Sequence, residues 1–283
     1  MTIGPGDQEN EMSAAVASTR AILSPRGTAA GGRCRVVAEP AQIRHERVVF
    51  RNTFPGTVPE VLTALLDLIT PPACLACRRP PAGLLCPSCR VALSWLGPHV
   101  CPRCALPRPC GRRCPAARMA FSSSWAPLAY AGPAQAVVGA LKDRGAVPVA
   151  GLMAAQMVAA VPPELLAGAT LVPVPADPWR RRRRGVDHTA RLARELGRRC
   201  ERPVDAVLAR RVSRASRQAR ARRLERLAPG RLPIAALSRR VPDVALLVDD
   251  VHTTGATLHA CALALRAAGA TEVRALTYTR TLR

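Results

Sequence analysis

The chain has 283 residues, 42 Lys and Arg against 19 Asp and Glu, a formal net charge of +23 and only 3% aromatic residues. That length buries a sizeable core and leaves room for more than one domain, while the absence of an apolar run of about 18 residues excludes a helical membrane span. No basic segment leads into an apolar one near residue 1, so the start does not read as a secretory leader.

The charge fits a nucleic acid, a membrane surface or an anionic substrate. A coding bias competes with selection for charge, because Lys142 is the one lysine and every other basic residue is arginine. Of the 11 cysteines, eight gather in close C-x-x-C or C-x-x-x-C pairs, which favours metal in a reducing cytoplasm over disulfides.

Residues 1–57 carry scattered Gly, Ser, Pro and Arg, with one strand-like piece at 42–50, and read as a poorly ordered extension. At 58–69 apolar residues recur at helical spacing, Pro59 fits a first turn and Pro71-Pro72 stops the run. Then come Cys74-x-x-Cys77, Cys86-x-x-Cys89, Cys101-x-x-Cys104 and Cys110-x-x-x-Cys114. A C-x-x-C turn aims two sulfurs at one tetrahedral centre, and two such turns complete four thiolates. The residues between them are turn formers that build no core, so metal must fold the segment. Two structural Zn²⁺ ions follow, with consecutive pairs (74/77/86/89 and 101/104/110/114) as the natural sum and interleaved pairing as the alternative. Four thiolates leave no open position for catalysis. His99 reads as a loop residue. These features set a helix and double ribbon at 58–118 ahead of a domain at 119–283.

In that domain 121–131 reads as a strand, and 133–142 and 148–161 as helices. Lys142, at a helix end, is either a solvated charge favoured by the helix dipole or a cation that contacts phosphate or pyrophosphate. A short strand at 169–175 leads into Arg180 to Arg184 and Gly185, and a helix spans 187–199. The arginine loop follows a strand's carboxyl end, where ligands of α/β sheets bind. His188 reads as a cap or surface residue. Residues 180–226 hold 18 arginines and five acids. The 210–227 arm would suit a mobile lid over a phosphorylated substrate or a single-stranded nucleic-acid track. The lack of aromatics between Trp179 and Tyr278 leaves only backbone electrostatics to the second. Cys200 and Cys261 fall in helical patterns as packing residues.

Residues 244–258 read as buried strand, loop and helix: aliphatics, then Asp249 and Asp250, a turn rich in Thr, Gly and Ala, and a helical run at 258–268. The junction offers backbone N–H groups and a helix N-terminus to an anion, with Thr253, Thr254 and Thr257 as hydroxyl donors. The adjacent acids would repel a bare phosphate, but they suit sugar hydroxyls or Mg²⁺. The segment therefore describes a site for a phosphorylated sugar. Gly269 caps the helix, and 272–279 alternates and ends the sheet. Strands near 171, 206, 246 and 275 separated by helical stretches argue an α/β fold with a mostly parallel sheet and flanking helices.

The run Val248-Asp-Asp-Val-His-Thr-Thr-Gly-Ala-Thr257 resembles the phosphoribosyl pyrophosphate signature of type I phosphoribosyltransferases. About 60–283 resembles the competence protein F family (ComF/GntX-like). The features carrying that likeness are the cysteine ribbon, Lys142 near Gly145, Val172-Pro-Val-Pro175, Arg184-Gly185, Gln218 and Arg226. The resemblance implies a type I phosphoribosyltransferase fold that binds phosphoribosyl pyrophosphate with Mg²⁺. Asp249 and Asp250 would hold the ribose hydroxyls, Thr253, Thr254, Gly255, Ala256 and Thr257 would wrap the 5′-phosphate, and Val251 would belong to the same substrate-binding segment. Lys142, Arg184, Gly185, Gln218 and Arg226 would serve the pyrophosphate or the lid. It also implies phosphoribosyl transfer to an acceptor the sequence does not name, and a link to DNA uptake in competence. The rival reading is a non-catalytic uptake factor that engages single-stranded DNA or a DNA-uptake helicase. This chain departs from the family at Arg184-Gly-Val-Asp-His188, where Arg-Gly-Phe-Asn-Gln is usual, and at Arg226-Leu-Ala-Pro229, where Arg-x-x-Asn is usual. Both changes fall on contacts to the second substrate.

Overall fold

A run of aliphatic residues that must be buried on both sides calls for a central parallel strand, and residues 245–248 (Ala-Leu-Leu-Val) become one. The computed structural model describes residues 73–80, 83–142, 147–177, 187–210, 234–238 and 240–282, all within the compact unit 34–283. The expected strand at 42–50, the helix at 58–69, the arginine loop with Arg184 and Gly185, and the arm with Gln218 and Arg226 lie outside the described residues.

In chain order the elements are α1 (Pro87–Val91), β1 (Ser123–Trp125), β2 (Leu128–Ala129), α2 (Gly132–Lys142), α3 (Val147–Ala160), α4 (Pro163–Leu166), β3 (Thr170–Pro173), α5 (His188–Cys200), β4 (Leu208–Arg210), β5 (Ile234–Ala236), β6 (Val244–His252), α6 (Ala256–Ala267) and β7 (Glu272–Arg280). The main sheet runs β3-β6-β7-β1, with β2 also along β7, and every ladder in it is parallel. The expected mostly parallel sheet with flanking helices is thus present. No helix among the described residues is long and apolar enough to cross a membrane.

The pleat of β6 feeds two cores. Leu246 and Val248 join Val137 and Leu141 of α2, Met153 and Met157 of α3, and Leu192 and Leu196 of α5. Ala245 and Leu247 join Leu258, Cys261 and Leu265 of α6. Cys200 and Cys261 are buried, as their helical positions predicted. The C-terminus of α6 closes as a Schellman turn: Gly269 takes φ +112°, its N–H donates to the Arg266 carbonyl, and the Ala270 N–H donates to Leu265.

Three sequence expectations are corrected. The single strand at 121–131 is broken between β1 and β2 at Ala126-Pro127, because proline has no N–H to give a ladder. The strand near 206 does not enter the main sheet. It forms at 208–210 and pairs antiparallel with β5, and only Val204 bridges to Leu171. Strand β7 does not end the sheet either. It lies between β6 and the β1/β2 edge, and seven of its nine residues are buried. Both β errors arise because pairing partners are set by tertiary contact, not by local pattern.

The ribbon packs onto both sides of the β1/β2 edge. Cys74, Leu85 and Leu93 enter the core shared with α2, α3 and α5, whereas Cys101, Cys104 and Ala116 enter the core shared with α6. Trp95 bridges antiparallel to Leu128.

Candidate functional site

Ligands of parallel α/β sheets bind beyond the strands' carboxyl ends, and the candidate residues converge there. Strand β6 runs past its aliphatic stretch through Asp249 and Asp250 to His252. Asp250 is buried at 6% exposure, and its Oδ2 lies 2.7 Å from Lys142 Nζ at the end of α2. That approach is an ion pair off the hydrogen-bond directions, since Oδ2 makes no aligned hydrogen bond among the described residues. Lys142 thus ends α2 with its side chain against Asp250 and partly open to solvent. Asp249 Oδ1 accepts from the Asp250 N–H at 2.9 Å. Burial, and then the adjacent Asp250 carboxylate, push the Asp249 carboxyl well above its usual range, with Lys142 pulling the other way.

His188 corrects the expectation of a cap or surface residue. Asp187 is the N-cap of α5, accepting from the Ala190 N–H at 3.0 Å. Thr189 Oγ1 lies 2.8 Å from the Val174 carbonyl beyond β3. Those two ties fix the rotation of the first turn, so the His188 side chain, 16% exposed, faces Asp250 with Nε2 3.9 Å from Oδ2. The sequence alone signalled this weakly, through the departure at 187–188 from the resembled family.

After His252 the chain turns through Thr253, exposed, and Thr254, half-buried, to Gly255 at the N-cap of α6. Thr254 Oγ1 accepts from the Ala256 N–H at 3.3 Å. Gly255 has φ +80°, and a Cβ there would stand 2.9 Å from His252 Nε2; both facts demand glycine. Thr257 and Val251 are partly buried beside the turn. The first-turn N–H groups of a 12-residue helix have no intrahelical partners, and the helix dipole adds positive potential for an anion.

Two residues beneath the loop escaped the sequence reading. His252 is 2% exposed, and its ring meets Phe121 edge-on at a centroid distance of 6.0 Å. Burial, then the Arg280 charge, lower its pKa to about 3, so the imidazole is neutral. Arg280, 4% exposed, donates from Nε to the Cys104 carbonyl at 2.8 Å. Its Nη1 donates to the carbonyls of His252 at 2.7 Å, Thr253, and Thr281 at 3.0 Å. An arginine closing the Ala-Leu-Thr-Tyr-Thr run of β7 was the available signal, since a buried charge must find several polar partners.

The cysteines gather into two sets, 74/77/86/89 and 101/104/110/114, with the four sulfurs of each within 4.8 Å of one another. This settles the pairing as consecutive rather than interleaved. Cys77 and Cys86 Sγ are 3.7 Å apart, and Cys101 and Cys114 Sγ 3.8 Å. A disulfide needs about 2.05 Å. A tetrahedron with Zn–S bonds of about 2.3 Å has S···S edges of about 3.8 Å, so the residues fit Zn²⁺. Burial alone would raise the Cys74 thiol. Hydrogen bonds from the backbone of Cys77, Cys86 and Ala76 overcome it and bring it down to about 6. Burial and the neighbouring thiols instead push Cys89 up to about 12. Each set thus combines a ready thiolate with thiols that give up protons to a metal; Cys101, held at about 7 by comparable backbone bonds, plays the first part in the second set. His99 is an exposed loop residue, as expected.

Away from this site, a groove of about 620 Å³ runs along α5, lined by Arg191, Arg194, Arg198 and Arg202 with Glu195 and Glu201. Glu195 pairs with Arg198 and Arg199.

Comparison with known proteins matches residues 65–118 to the double zinc ribbon domain family. No curated protein matches the chain. Among solved structures, the chain is similar to glutamine phosphoribosylpyrophosphate (PRPP) amidotransferase from B. subtilis complexed with ADP and GMP. The identity is 21% over 50% of this chain and 26% of that one, with a TM-score of 0.28. The chain thus spans about a quarter of that protein's length, and a likeness of this degree carries no argument about function.

Proposed function

We propose that this chain is a phosphoribosyltransferase-domain protein of the type I fold. It would bind phosphoribosyl pyrophosphate with Mg²⁺ and transfer phosphoribose to an acceptor, in the manner of the competence protein F family it resembles. The observation that carries the reading is the continuity of β6, the turn and α6. Two adjacent acids, one of them buried against Lys142, lead directly into a Thr/Gly turn and a helix N-terminus. A sugar phosphate needs that order, with hydroxyl acceptors first and an anion cradle a few residues on.

In this reading Asp249 and Asp250 accept hydrogen bonds from the ribose 2′ and 3′ hydroxyls. The turn from Thr253 through Thr254, Gly255 and Ala256 to Thr257, next to Val251 near the end of β6, surrounds the 5′-phosphate with N–H and O–H donors. Lys142, released from Asp250 by the incoming sugar, offers its charge to the pyrophosphate, and Arg184, Gly185, Gln218 and Arg226 are the further pyrophosphate or lid residues that the resemblance implies. The adjacent carboxylates are a hard-oxygen donor set that suits Mg²⁺, which would supply positive charge to the pyrophosphate oxygens. The bond from C1 to pyrophosphate breaks and a bond from C1 to the acceptor forms, through a state with oxocarbenium character. The protein's share is positioning and stabilisation of the departing negative charge.

Calorimetric titration with phosphoribosyl pyrophosphate and Mg²⁺ tests this. Saturable binding that is lost in Asp249→Asn/Asp250→Asn is expected. No binding, or equal binding by the double variant, would sink the assignment, and pyrophosphate release with candidate acceptors then separates transfer from binding alone.

The arginine groove along α5 favours a second reading, a non-catalytic factor in DNA uptake that holds single-stranded DNA or a helicase partner. Its mark is single-strand affinity that falls steeply with salt and drops in Arg191→Glu/Arg194→Glu. Salt-independent affinity would dismiss it.

A further inference from the structure

The double ribbon and the phosphate-type turn are separate motifs in sequence, yet one buried side chain ties them together. Arg280 Nε donates to the carbonyl of Cys104, a member of the second cysteine set. The same guanidinium donates through Nη1 to His252 and Thr253, the residues that open the turn. At 4% exposure no bulk water replaces those partners if one is lost. A second tie runs parallel to the first. The Ala120 N–H, in the segment leaving the ribbon, donates to His259 Nδ1 of α6 at 2.9 Å, and Arg266 Nε of α6 donates to the Ala120 carbonyl at 2.7 Å. Phe121, next in the chain, packs on His252. The first tie starts from the second cysteine set, and the second from the segment that follows Cys114. Among the described residues no hydrogen bond of the first set's cysteines reaches the turn, and Cys74 packs in the other core, with α2, α3 and α5.

We propose that Arg280 is a positioning residue that makes the metal at Cys101, Cys104, Cys110 and Cys114 a determinant of the 253–257 turn, so that metal loading of this set and anion binding at the turn favour each other. Four thiolates on one ion fix the 101–104 backbone, and Cys104 presents its carbonyl from that fixed backbone. With the carbonyl in place, Arg280 is held at both ends and the turn keeps the conformation in which its N–H groups converge. Without metal, the Cys104 carbonyl is free to leave, and the guanidinium loses a partner it cannot replace from solvent. Linkage is reciprocal, so an anion seated in the turn must in return tighten the metal at this set. The affinity part of this inference rests on the proposed reading of the site, whereas the effect on the turn itself does not.

The test uses the full chain with Cys110→Ser at the second set, Cys77→Ser at the first, and Arg280→Gln and Arg280→Lys. Metal analysis should give two zinc ions in the wild type and the arginine variants, and one in each cysteine variant. Hydrogen–deuterium exchange is then followed at amides 253–257, and affinity for phosphoribosyl pyrophosphate with Mg²⁺ is titrated. Cys110→Ser and Arg280→Gln should both speed exchange at 253–257 and weaken affinity by roughly 5- to 150-fold, the range of ordinary site-to-site coupling. Cys77→Ser should have the smaller effect on both readouts, and Arg280→Lys should recover part of the loss. Equal effects from Cys77→Ser and Cys110→Ser would overturn the proposal, as would unchanged exchange in a Cys110→Ser protein carrying one zinc. If the wild type does not bind the sugar diphosphate, the functional reading fails, and the exchange measurement still decides the coupling.

Discussion

His252 offers a test that needs no ligand. Its imidazole is buried against Phe121, and burial, then the Arg280 charge, lower its pKa to about 3 from an ordinary 6.5. In the unfolded chain the ring takes a proton below about 6.5; in the folded chain it does so only near 3. The unfolded state therefore binds more protons throughout the window from 6.5 down to 3. The stability that His252 confers is fully present above that window and is lost as pH falls through it, at a slope approaching about 1.4 kcal/mol per pH unit. Between pH 7 and pH 5 the loss comes to about 2 kcal/mol. Replacing His252 with Gln removes the titration and keeps a polar side chain of similar reach. Urea unfolding of both proteins at pH 7 and pH 5, with zinc present, should show the wild type losing about 2 kcal/mol more than His252→Gln on acidification. Acid effects on the cysteine sets are common to both proteins and cancel in that difference. Equal losses, or a His252 ring signal that titrates near 6.5 in the folded protein, would refute the reasoning.

Four further outcomes are expected. Purified protein should hold two zinc ions, and zinc affinity should rise with pH, because Cys89, pushed up to about 12, must give up its proton to bind; competition with a chelator at pH 6 and pH 8 measures this. Gly255→Ala should cost about 1–3 kcal/mol in urea unfolding, since it places a Cβ at φ +80° and 2.9 Å from His252 Nε2. Leu246→Ala, at a site fully buried between strands and helices, should cost about 2–5 kcal/mol in the same assay. Affinity for phosphoribosyl pyrophosphate should decline on acidification from a higher pH than an ordinary carboxylate would set, because Asp249 is raised and must ionise to accept both ribose hydroxyl and cation; calorimetry across a pH series would show it.

The elements that were legible in the sequence are those whose signal is local. The strand, turn and helix of 244–258 were readable because an aliphatic run, two acids and a Thr/Gly turn each constrain their own backbone. The cysteine sets were readable because C-x-x-C fixes ligand geometry within four residues. Which pairs share a metal was not, since that depends on how the turns pack. The same limit hid the antiparallel partner of 208–210, which lies at 234–236, and the interior position of β7, whose second neighbours come from residues 123–129. His188 and Arg280 were missed for a related reason. Their roles depend on which way a first helical turn and a strand end rotate, and Asp187, Thr189 and the Cys104 carbonyl decide that from elsewhere in the fold.

The break at Ala126-Pro127 has a consequence for how this chain behaves in a crowded solution. A long, straight outer strand is a template on which a second molecule can lay its own backbone and begin a fibre. Here the outer margin beside β7 is cut into pieces of three residues and two, and Trp95 from the ribbon already bridges to Leu128. At the opposite margin, β3 is four residues long, and Leu171 exchanges hydrogen bonds with Pro203 and Asp205. Among the described residues, neither margin gives an incoming strand a continuous row of N–H and C=O groups. The Ala126-Pro127 break and the Trp95 bridge to Leu128 together deprive the β1/β2 margin of the straight template on which a second molecule could build.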